Sequence, residues 1–260
     1  MVAKIIKRIY IFLIFVFLHA PIAMLIVLSF NNSRSRVKWG GFTLKWYAEL
    51  LTDQTILRSL YVTIVLAVVS SLVATIFGTI AAIGIHKIRP VFATIVTNIT
   101  YIPILNPDIV TGISLMLLFI FTGFPLGFSS LMISHITFSL PFVIISVLPK
   151  LKELDTKLLD AALDLGASPF YAYIHVILPN ISEGIVTGFL LAFTMSIDDF
   201  VISFFNTGAG ISNLAITIYS MARKGINPKI NALLTIVFTT VILLTIIVNK
   251  RMNSKVGDGV

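Results

Sequence analysis

Long runs without a charged residue set the pattern of this chain. Three such runs, each free of Asp, Glu, Lys and Arg, lie at 9–33, 60–86 and 230–249. An α-helix needs about 20 residues, at about 1.5 Å per residue, to cross the hydrocarbon core of a bilayer. Each run therefore predicts one membrane-spanning helix. A fourth run, at 109–149, is long enough for two passes, because Gly and Pro residues at 123–127 mark a turn inside it.

Two further apolar regions contain polar interruptions. One holds Pro103, Pro107 and Asp108, and the other holds the pair Asp198 and Asp199. We expect an all-α polytopic membrane protein, because a bilayer offers no partners to unpaired backbone groups and the alternating pattern of barrel strands is absent. The pattern predicts six transmembrane helices, at 9–30, 60–85, 92–121, 129–149, 179–205 and 230–249.

Composition narrows the functional classes. The chain is 57% hydrophobic, and its 12% of charged residues is about half the share found in soluble globular domains. This excludes both a soluble protein and a disordered chain. The net charge of +8 does not indicate nucleic-acid binding, since the basic residues lie at the edges of apolar runs. There is no Cys, and the four His residues have no ligand spacing, so we expect no metal site.

The basic residues also indicate an orientation. With the N-terminus inside, the cytoplasmic segments carry 11 of the 19 Lys and Arg residues and the outer segments carry 8, a mild positive-inside bias. The first apolar run is too long for a cleaved signal peptide, so we interpret it as a retained anchor. We expect a cell-membrane (plasma or inner membrane) protein with both termini in the cytoplasm.

One polar loop between spans has a strong helical pattern. It covers 150–178, and an apolar stripe recurs there at helical spacing. Gly166 is suited to end this helix in a left-handed cap, Ser168 can N-cap a second helix whose first position is Pro169, and Pro179 is expected to end that helix. The product is either a helix–turn–helix that docks a partner or a connector lying on the lipid headgroups. The stripe consists of Leu154, Leu158, Ala161 and Leu165.

The run DAALDLGASPFYAYIHVILP in this loop resembles the EAA loop of ABC-importer permeases. That motif is EAA, three residues, Gly, nine residues, and then I-x-L-P. Here Asp replaces Glu and Val replaces the first Ile, and the motif lies between the fourth and fifth of six predicted spans, where the family has it. The resemblance implies that the motif couples the membrane helices to an ATPase. The matching positions are Asp160, Ala161, Ala162, Gly166, Val176, Leu178 and Pro179.

Longer stretches resemble one family of such permeases. NPDIVTGISLMLLF, SLMISHITFSLPFVIISV and LAFTMSIDDFVISFF are similar to the permeases of spermidine/putrescine ABC importers. The resemblance implies a MetI-like, type I importer fold, with 1–260 as a single permease domain and 150–178 as its cytoplasmic coupling loop. It also implies a polyamine such as spermidine or putrescine as substrate. One position departs from the family pattern: Pro169 stands where Glu is expected.

The same resemblance implies a heteromeric complex. Its other members are a second, related permease, two copies of a cytoplasmic ATPase that binds ATP and Mg, and an extracytoplasmic substrate-binding protein. The chain itself has no G-x-x-x-x-G-K-[ST] loop to hold nucleotide phosphates. We therefore expect no cofactor in this chain, no catalytic residue and no enzymatic activity of its own.

Acidic residues inside apolar spans are the strongest candidates for a substrate pathway, because an ionised carboxylate in the membrane usually faces a cavity or a partner. On a continuous helix Asp198 and Asp199 point about 100° apart, and Asp199 shares one face with Ser196, Ser203 and Asn206. Separated carboxylates are suitable contacts for a polyamine with several ammonium groups. The adjacent prolines would free backbone carbonyls for the same purpose.

Resemblance to the polyamine permeases carries substrate-path roles onto Trp46, Asp108, Ser196, Asp198 and Asp199. Each has an alternative reading. Trp46 can stack on an ammonium group or belong to an interfacial aromatic belt. The Asp pair can serve hydrogen bonds between helices, and Asp108 can cap a helix beside the proline break.

Some polar and small residues in the spans fit packing better than chemistry. We interpret His19 and His135 as hydrogen-bonded packing residues, and Gly184 and Gly188 as a close contact between helices.

Three alternatives remain for the function of the whole chain. The first is an ABC permease for another organic cation or small solute. The second is an ion-coupled secondary transporter, which a second broken span would favour. The third, a membrane-embedded enzyme, lacks a nucleophile–base or metal cluster.

Overall fold

The computed structural model describes residues 2–35, 38–155, 157–225, 228–240 and 242. Within these ranges the chain is helical, with an isolated bridge between Asn31 and Phe42 and no β-strand. The prediction of an all-α protein is confirmed.

The described ranges contain twelve α-helices with named bounds and one π-helical segment. They are α1 (Val2–Ser29), α2 (Lys45–Thr52), α3 (Gln54–Lys87), α4 (Pro90–Leu105), α5 (Asp108–Thr122), α6 (Phe128–Glu153), α7 (Lys157–Asp164), α8 (Pro169–Ala172), the π-helical segment Tyr173–Ile177, α9 (Leu178–Asn180), α10 (Ser182–Asp198), α11 (Val201–Asn206) and α12 (Leu214–Arg223). A further helix occupies 228–240.

Three helices in the described part of the chain are long and apolar enough to cross a membrane by themselves: α1, α3 and α6. The number rises to five when each of two sharply bent helix pairs is counted as one span. The predicted spans at 9–30, 60–85 and 129–149 correspond to the three unbroken helices. The predicted span at 230–249 begins in the helix at 228–240, and its remainder, apart from Ile242, lies outside the described residues. The count of six therefore stays a prediction.

The third predicted span, at 92–121, is two helices bent by 101° instead of one. The break follows from Pro107, which has no backbone N–H and disfavours the helical region for the residue before it. Asn106 is accordingly extended, with φ −74° and ψ 142°, and α5 begins directly after Pro107. Pro103 lies inside α4 without ending it.

The chain divides into two compact units. The first unit combines Met1–Leu57 with Thr217–Val260, and the second is Arg58–Ile216. In the first unit α1 exposes apolar side chains along its length, whereas Trp46 and Leu50 of α2 are buried. The core of the second unit is formed by α3, α6, α10 and the segment before α10. Its buried members are Ala74, Ala82, Ile85, Val143, Ile144, Val147, Leu148, Leu151, Ile177, Ile181 and Ala192.

Two glycines allow α10 to lie directly against α6. A Cβ added at Gly184 would lie 2.9 Å from the Ser146 carbonyl oxygen, and one at Gly188 would lie 3.1 Å from the Val143 Cα. Both neighbours are backbone atoms, which cannot move aside as a side chain can. The interpretation of these two glycines as a close helix contact is confirmed.

Gly188→Leu is expected to destabilise the protein, because an added side chain at this contact forces α6 and α10 apart. Overpacking of this kind costs about 1–3 kcal/mol. The measurement is the melting temperature of the purified protein in detergent. Gly84→Leu on α3 is the matched control, since a Cβ there meets nothing within 4 Å. Equal losses of melting temperature in the two variants would contradict the explanation.

Candidate functional site

The fifth predicted span, at 179–205, is interrupted in its second half. The prediction of one continuous helix is wrong there, because α10 ends at Asp198 and α11 begins only at Val201. Asp199 is extended, with φ −66° and ψ 123°. Its carboxylate accepts hydrogen bonds from the backbone N–H groups of Ile202 (3.0 Å) and Ser203 (2.7 Å). Asp199 thus satisfies free donors in the first turn of α11, and these bonds stabilise the new helix.

The polar residues around this break meet at His135 of α6. The ring Nδ1 lies 2.7 Å from the Ser196 Oγ, and Nε2 lies 2.9 Å from the Ser203 Oγ. The Asp199 carboxylate lies 3.5 Å from the same Nε2 and accepts a 2.8 Å hydrogen bond from the Ser203 hydroxyl. The side chains of His135 and Asp199 are 1% and 5% exposed. The interpretation of His135 as a hydrogen-bonded packing residue is confirmed.

Two more residues extend this buried cluster. The Ser70 hydroxyl of α3 lies 3.1 Å from the Ser196 Oγ, and the Asn213 amide, just before α12, donates to the Ser203 Oγ at 2.7 Å. We call the set Ser70, His135, Ser196, Asp199, Ser203 and Asn213 the His135 cluster.

Asn206 does not join the His135 cluster, although a continuous helix would place it on the same face as Asp199. Its amide donates to the Gly112 carbonyl of α5 at 3.1 Å. A Cβ at Gly112 would lie 3.3 Å from the Phe205 ring and 3.4 Å from the Ile202 Cα. The helices that follow the two breaks, α5 and α11, therefore pack closely against each other.

Asp108 and Asp198 flank the two breaks and are exposed in the chain. Asp108 is the first residue of α5, one turn before Gly112, and so lies on the face of α5 that packs on α11. The N-cap of α5 is Pro107 and not Asp108, although a carboxylate in the first turn interacts favourably with the helix dipole. Asp198 is the last residue of α10 and is exposed, whereas the side chain of Asp199 is buried.

Trp46 lies in the first turn of α2 and is 4% exposed. Its indole N–H donates to the Asn31 carbonyl at 2.8 Å, which fixes the ring. The ring lines a cavity of about 380 Å³, whose described walls also contain Arg34, Glu49, Lys224 and Lys229. Glu49 is already paired with Lys229 at 3.3 Å. Sequence reasoning missed Glu49, although its spacing of three residues from Trp46 places both on one helix face.

The loop at 150–178 forms two short helices around a left-handed glycine, as predicted. Gly166 has φ +84°. The Gly166 N–H donates to the Leu163 carbonyl (2.9 Å), and the Ala167 N–H donates to the Ala162 carbonyl (3.1 Å), which together make a Schellman cap. Ser168 then N-caps α8, with its Oγ accepting from the Tyr171 N–H at 3.3 Å and Pro169 in the first position.

The predicted apolar stripe is only partly right. Leu154 is not in α7, because it forms the extended C-cap of α6 and α7 begins at Lys157. Leu158 and Leu159 pack on the core of the second unit, whereas Leu165 is 89% exposed. Asp160 and Ala161 lie on the exposed side of α7, and Ala162 is half-buried.

The second helix of the loop does not end at Pro179 as predicted. It continues through the π-helical segment, in which the Leu178 N–H donates to the Tyr173 carbonyl, and through Pro179 at the start of α9. The wider π turn accommodates a proline that cannot donate a backbone hydrogen bond. The chain bends by 72° between Asn180 and Ser182. Leu178 itself packs against the core, which joins the loop firmly to the spans.

The outer side of this loop presents apolar side chains that nothing else in the chain covers within the described residues. Leu165 and Phe170 are 89% and 75% exposed, and Tyr171 is 54% exposed. Beside them is an open hollow of about 530 Å³. Its described lining residues are Ala162, Leu165, Gly166, Ala167, Ser168, Tyr171 and Val176.

The described residues contain no group of three His, Cys, Asp or Glu side chains that could hold a metal ion. The candidate site in the second unit combines two interrupted spans that pack on each other, acidic residues at both breaks, and a helical hairpin with an apolar outer side.

A family comparison assigns this arrangement to a class of membrane proteins. A family described as binding-protein-dependent transport system inner membrane component matches residues 74–257. The chain therefore belongs to this family of ABC transporter permeases, and it is a multi-pass membrane protein.

Curated relatives narrow the class further. The spermidine/putrescine transport system permease protein PotC of Escherichia coli (strain K12) is 38% identical over 99% of this chain and 99% of that protein. The PotC protein of Haemophilus influenzae is 34% identical over 93% of this chain and 94% of its own length. The putrescine transport system permease protein PotI of Escherichia coli (strain K12) is 37% identical over 87% and 83%.

A solved structure supports the fold. A chain from a bacterial ABC transporter involved in the import of the acidic polysaccharide alginate matches with a TM-score of 0.74 over 96% of this chain and 96% of that chain. Its sequence identity is 16%, so the likeness concerns the fold alone. The expected ABC importer permease fold is confirmed.

Proposed function

We propose that this chain is a permease subunit of an ATP-driven ABC importer that takes up polyamines of the spermidine and putrescine class. The observation that carries the proposal is the full-length similarity to a spermidine/putrescine permease, at 38% identity over 99% of both chains. The physical arrangement agrees with a cationic substrate, because a carboxylate lies at each of the two helix breaks. Breaks and acidic residues within spans usually line a water-filled route through the membrane.

The proposed substrate path involves Trp46, Asp108, Ser196, Asp198 and Asp199. Asp108 and Asp198 are suited to direct contact, since both side chains are exposed in the isolated chain. Ser196 and Asp199 are buried around His135 and support the wall of the path from behind. Trp46 has a buried ring on the wall of an outer-loop cavity and would contact the substrate through that cavity.

The proposed coupling element is the loop at 150–178, on the cytoplasmic side, with both chain termini on that side. Its exposed apolar side chains fit a groove on a partner protein, and the core packing of Leu178 passes movement to the spans. The proposed partner is a PotA-like ATPase dimer that binds ATP and Mg, beside a PotB-like second permease and a PotD-like extracytoplasmic binding protein. The coupling residues are Asp160, Ala161, Ala162, Gly166, Leu178 and Pro179.

Uptake of spermidine by the complete complex in proteoliposomes is expected to require ATP on the cytoplasmic face. It should stop when ATP is replaced by a non-hydrolysable analogue and should be insensitive to collapse of ion gradients. Radiolabelled spermidine and putrescine measure the uptake, and a neutral solute of similar size is the control. Uptake that runs on an ion gradient without ATP would contradict the proposal.

A second candidate, an ion-coupled secondary transporter, is favoured by one observation. The structure has a second interrupted span, which is typical of many such transporters. The same experiment separates the two, since a secondary transporter needs neither ATP nor partner chains. A permease for another organic cation would still depend on ATP but would not take up spermidine or putrescine.

A further inference from the structure

Two neighbouring carboxylates at the break between α10 and α11 have different surroundings. Asp198 is exposed at the end of α10. Asp199 is 5% exposed in its side chain and accepts three hydrogen bonds from α11, two from backbone N–H groups and one from a hydroxyl. An acid with this many internal donors has little capacity left to bind a substrate cation.

The direction of each hydrogen bond in the His135 cluster follows from the number of protons available. A serine hydroxyl has one proton, and Ser203 gives its proton to the Asp199 carboxylate. Because this proton is already used, the Ser203 Oγ can only accept a hydrogen bond from His135, as it does from the Asn213 amide. The ring must therefore carry its proton on Nε2 and donate it to Ser203.

The other ring nitrogen completes the chain of bonds. With the proton on Nε2 of a neutral ring, Nδ1 is an acceptor, so the Ser196 hydroxyl donates to it at 2.7 Å. The Ser70 hydroxyl can then donate to the Ser196 Oγ. With a neutral ring the bonds run in one direction, from Ser70 through Ser196, His135 and Ser203 to the Asp199 carboxylate. They join α3, α10, α6 and α11 through one imidazole.

This series of hydrogen bonds holds the backbone at the break between α10 and α11. The Asp199 N–H still bonds to the Met195 carbonyl of α10 at 3.1 Å, while its carboxylate holds the first turn of α11. Asp199 is therefore the joint between the two helices, and Asp198 is the residue directly before the joint. Since Asp198 lies in the last turn of α10, directly before these bonds, a displaced Asp199 carboxylate is expected to change the orientation of Asp198.

We propose that His135 is a positioning residue for transport: it holds Asp199 as the joint between α10 and α11, so that Asp198 is directed at the substrate cation. The proposal rests on the proposed function, in which Asp198 contacts the polyamine. It assigns different roles to the two adjacent acids, with Asp198 touching the substrate and Asp199 acting through the backbone.

A double-mutant cycle between His135→Phe and Asp198→Asn tests the proposal in the complete reconstituted complex. Phe keeps an aromatic ring and removes both nitrogens. His135→Phe alone is expected to lower spermidine uptake per complex about tenfold. In the Asp198→Asn background it should cause less than about a twofold further loss, since coupled residues are not additive. His19→Phe is the matched control, because His19 is exposed on α1 and lies outside the cluster.

A second readout separates positioning from general damage. Misdirection of Asp198 removes one charge from the path, so His135→Phe should lower uptake of the trivalent spermidine more than uptake of the divalent putrescine, as Asp198→Asn does. Damage to the fold alone would lower both rates by the same factor. If His135→Phe does not assemble, Ser203→Ala removes the bond to Asp199 with a smaller change and should show the same non-additivity and the same shift in ratio.

Multiplicative losses, or an unchanged spermidine-to-putrescine ratio, in a complex that does take up polyamines would overturn this inference alone. Absence of polyamine uptake by the unmodified complex would overturn the proposed function and this inference together.

Discussion

Replacing Gly166 by Val is expected to leave the protein in the membrane but to remove most ATP-driven transport. Gly166 has φ +84°, a region in which a side chain with Cβ is strained, and a β-branched residue there is an outlier. The strain is about 1–2 kcal/mol for an ordinary residue, so the ratio of the docking conformation to relaxed conformations of the hairpin falls about 5–30-fold. Paired measurements of spermidine uptake and ATP hydrolysis in proteoliposomes should show hydrolysis without matching uptake.

The space around Gly166 makes this test specific. A Cβ there would meet nothing within 4 Å, so Val acts through the backbone and not through a clash. Gly166→Asn is the matched control, because Asn tolerates the left-handed region while adding a similar bulk. We expect Asn to keep most of the transport. Equal losses in the two variants would show that the outer surface of the cap matters instead of its conformation.

The cap at Gly166 could be predicted from the sequence because its causes are local. A glycine after an amphipathic helix, followed by Ser and Pro, contains the whole chemistry of the turn within a few residues. Pro107 is also a local signal, because a proline disfavours the helical region for the residue before it, and Asn106 is extended. Runs of apolar residues likewise predicted α1, α3 and α6, since the thickness of the bilayer sets the length of a span.

The break at Asp199 could not be predicted in the same way. No Pro or Gly marks it, and the sequence pattern places Asp198 and Asp199 on a continuous helix. The carboxylate of Asp199 bonds to Ile202 and Ser203 of the following helix, and the fold also brings His135 of α6, which is distant in sequence, within 3.5 Å of it. The predicted grouping of Ser196, Asp199 and Ser203 agrees with the structure, in which all three approach the same imidazole. Asn206, predicted on the same face, bonds to the Gly112 carbonyl instead.

The path of the helix through Pro179 shows a further limit of local rules. A proline commonly ends a helix, and the sequence predicts that Pro179 does so. The π-helical segment before it changes the hydrogen-bond spacing, and the helix continues to Asn180. The direction change then falls at Ile181, which is fully buried in the core. Tertiary packing, and not the proline alone, decides where this chain turns.

The two interrupted spans have one physical consequence in common. Each break places a carboxylate where regular helix geometry stops, and the helices that follow the breaks pack on each other through Gly112 and Asn206. Interrupted spans also occur in secondary transporters, so the breaks alone do not define the energy source. The family match favours an ABC transporter permease over that alternative.

Asp198→Asn is expected to reduce polyamine uptake strongly while ATP hydrolysis by the complex persists. A carboxylate about 4 Å from an ammonium group contributes about 1 kcal/mol in bulk water and about 4 kcal/mol at the effective dielectric near a protein surface. Removing that charge should therefore lower uptake of spermidine between about fivefold and several hundredfold. The measurement is initial uptake at saturating binding protein, divided by the amount of complex in the membrane.

Asp198→Glu and Glu183→Gln are the controls for this effect. Glu keeps the charge at the break and should retain a large part of the activity. Glu183 pairs with Lys150 at 3.2 Å at the start of α10, and its side chain is 81% exposed, so loss of its charge should change uptake little. If Asp198→Asn carries spermidine at the normal rate, the exposed acid at the break does not attract the cation. Other side chains would then have to bind the polyamine, and Asp108 is the first to test.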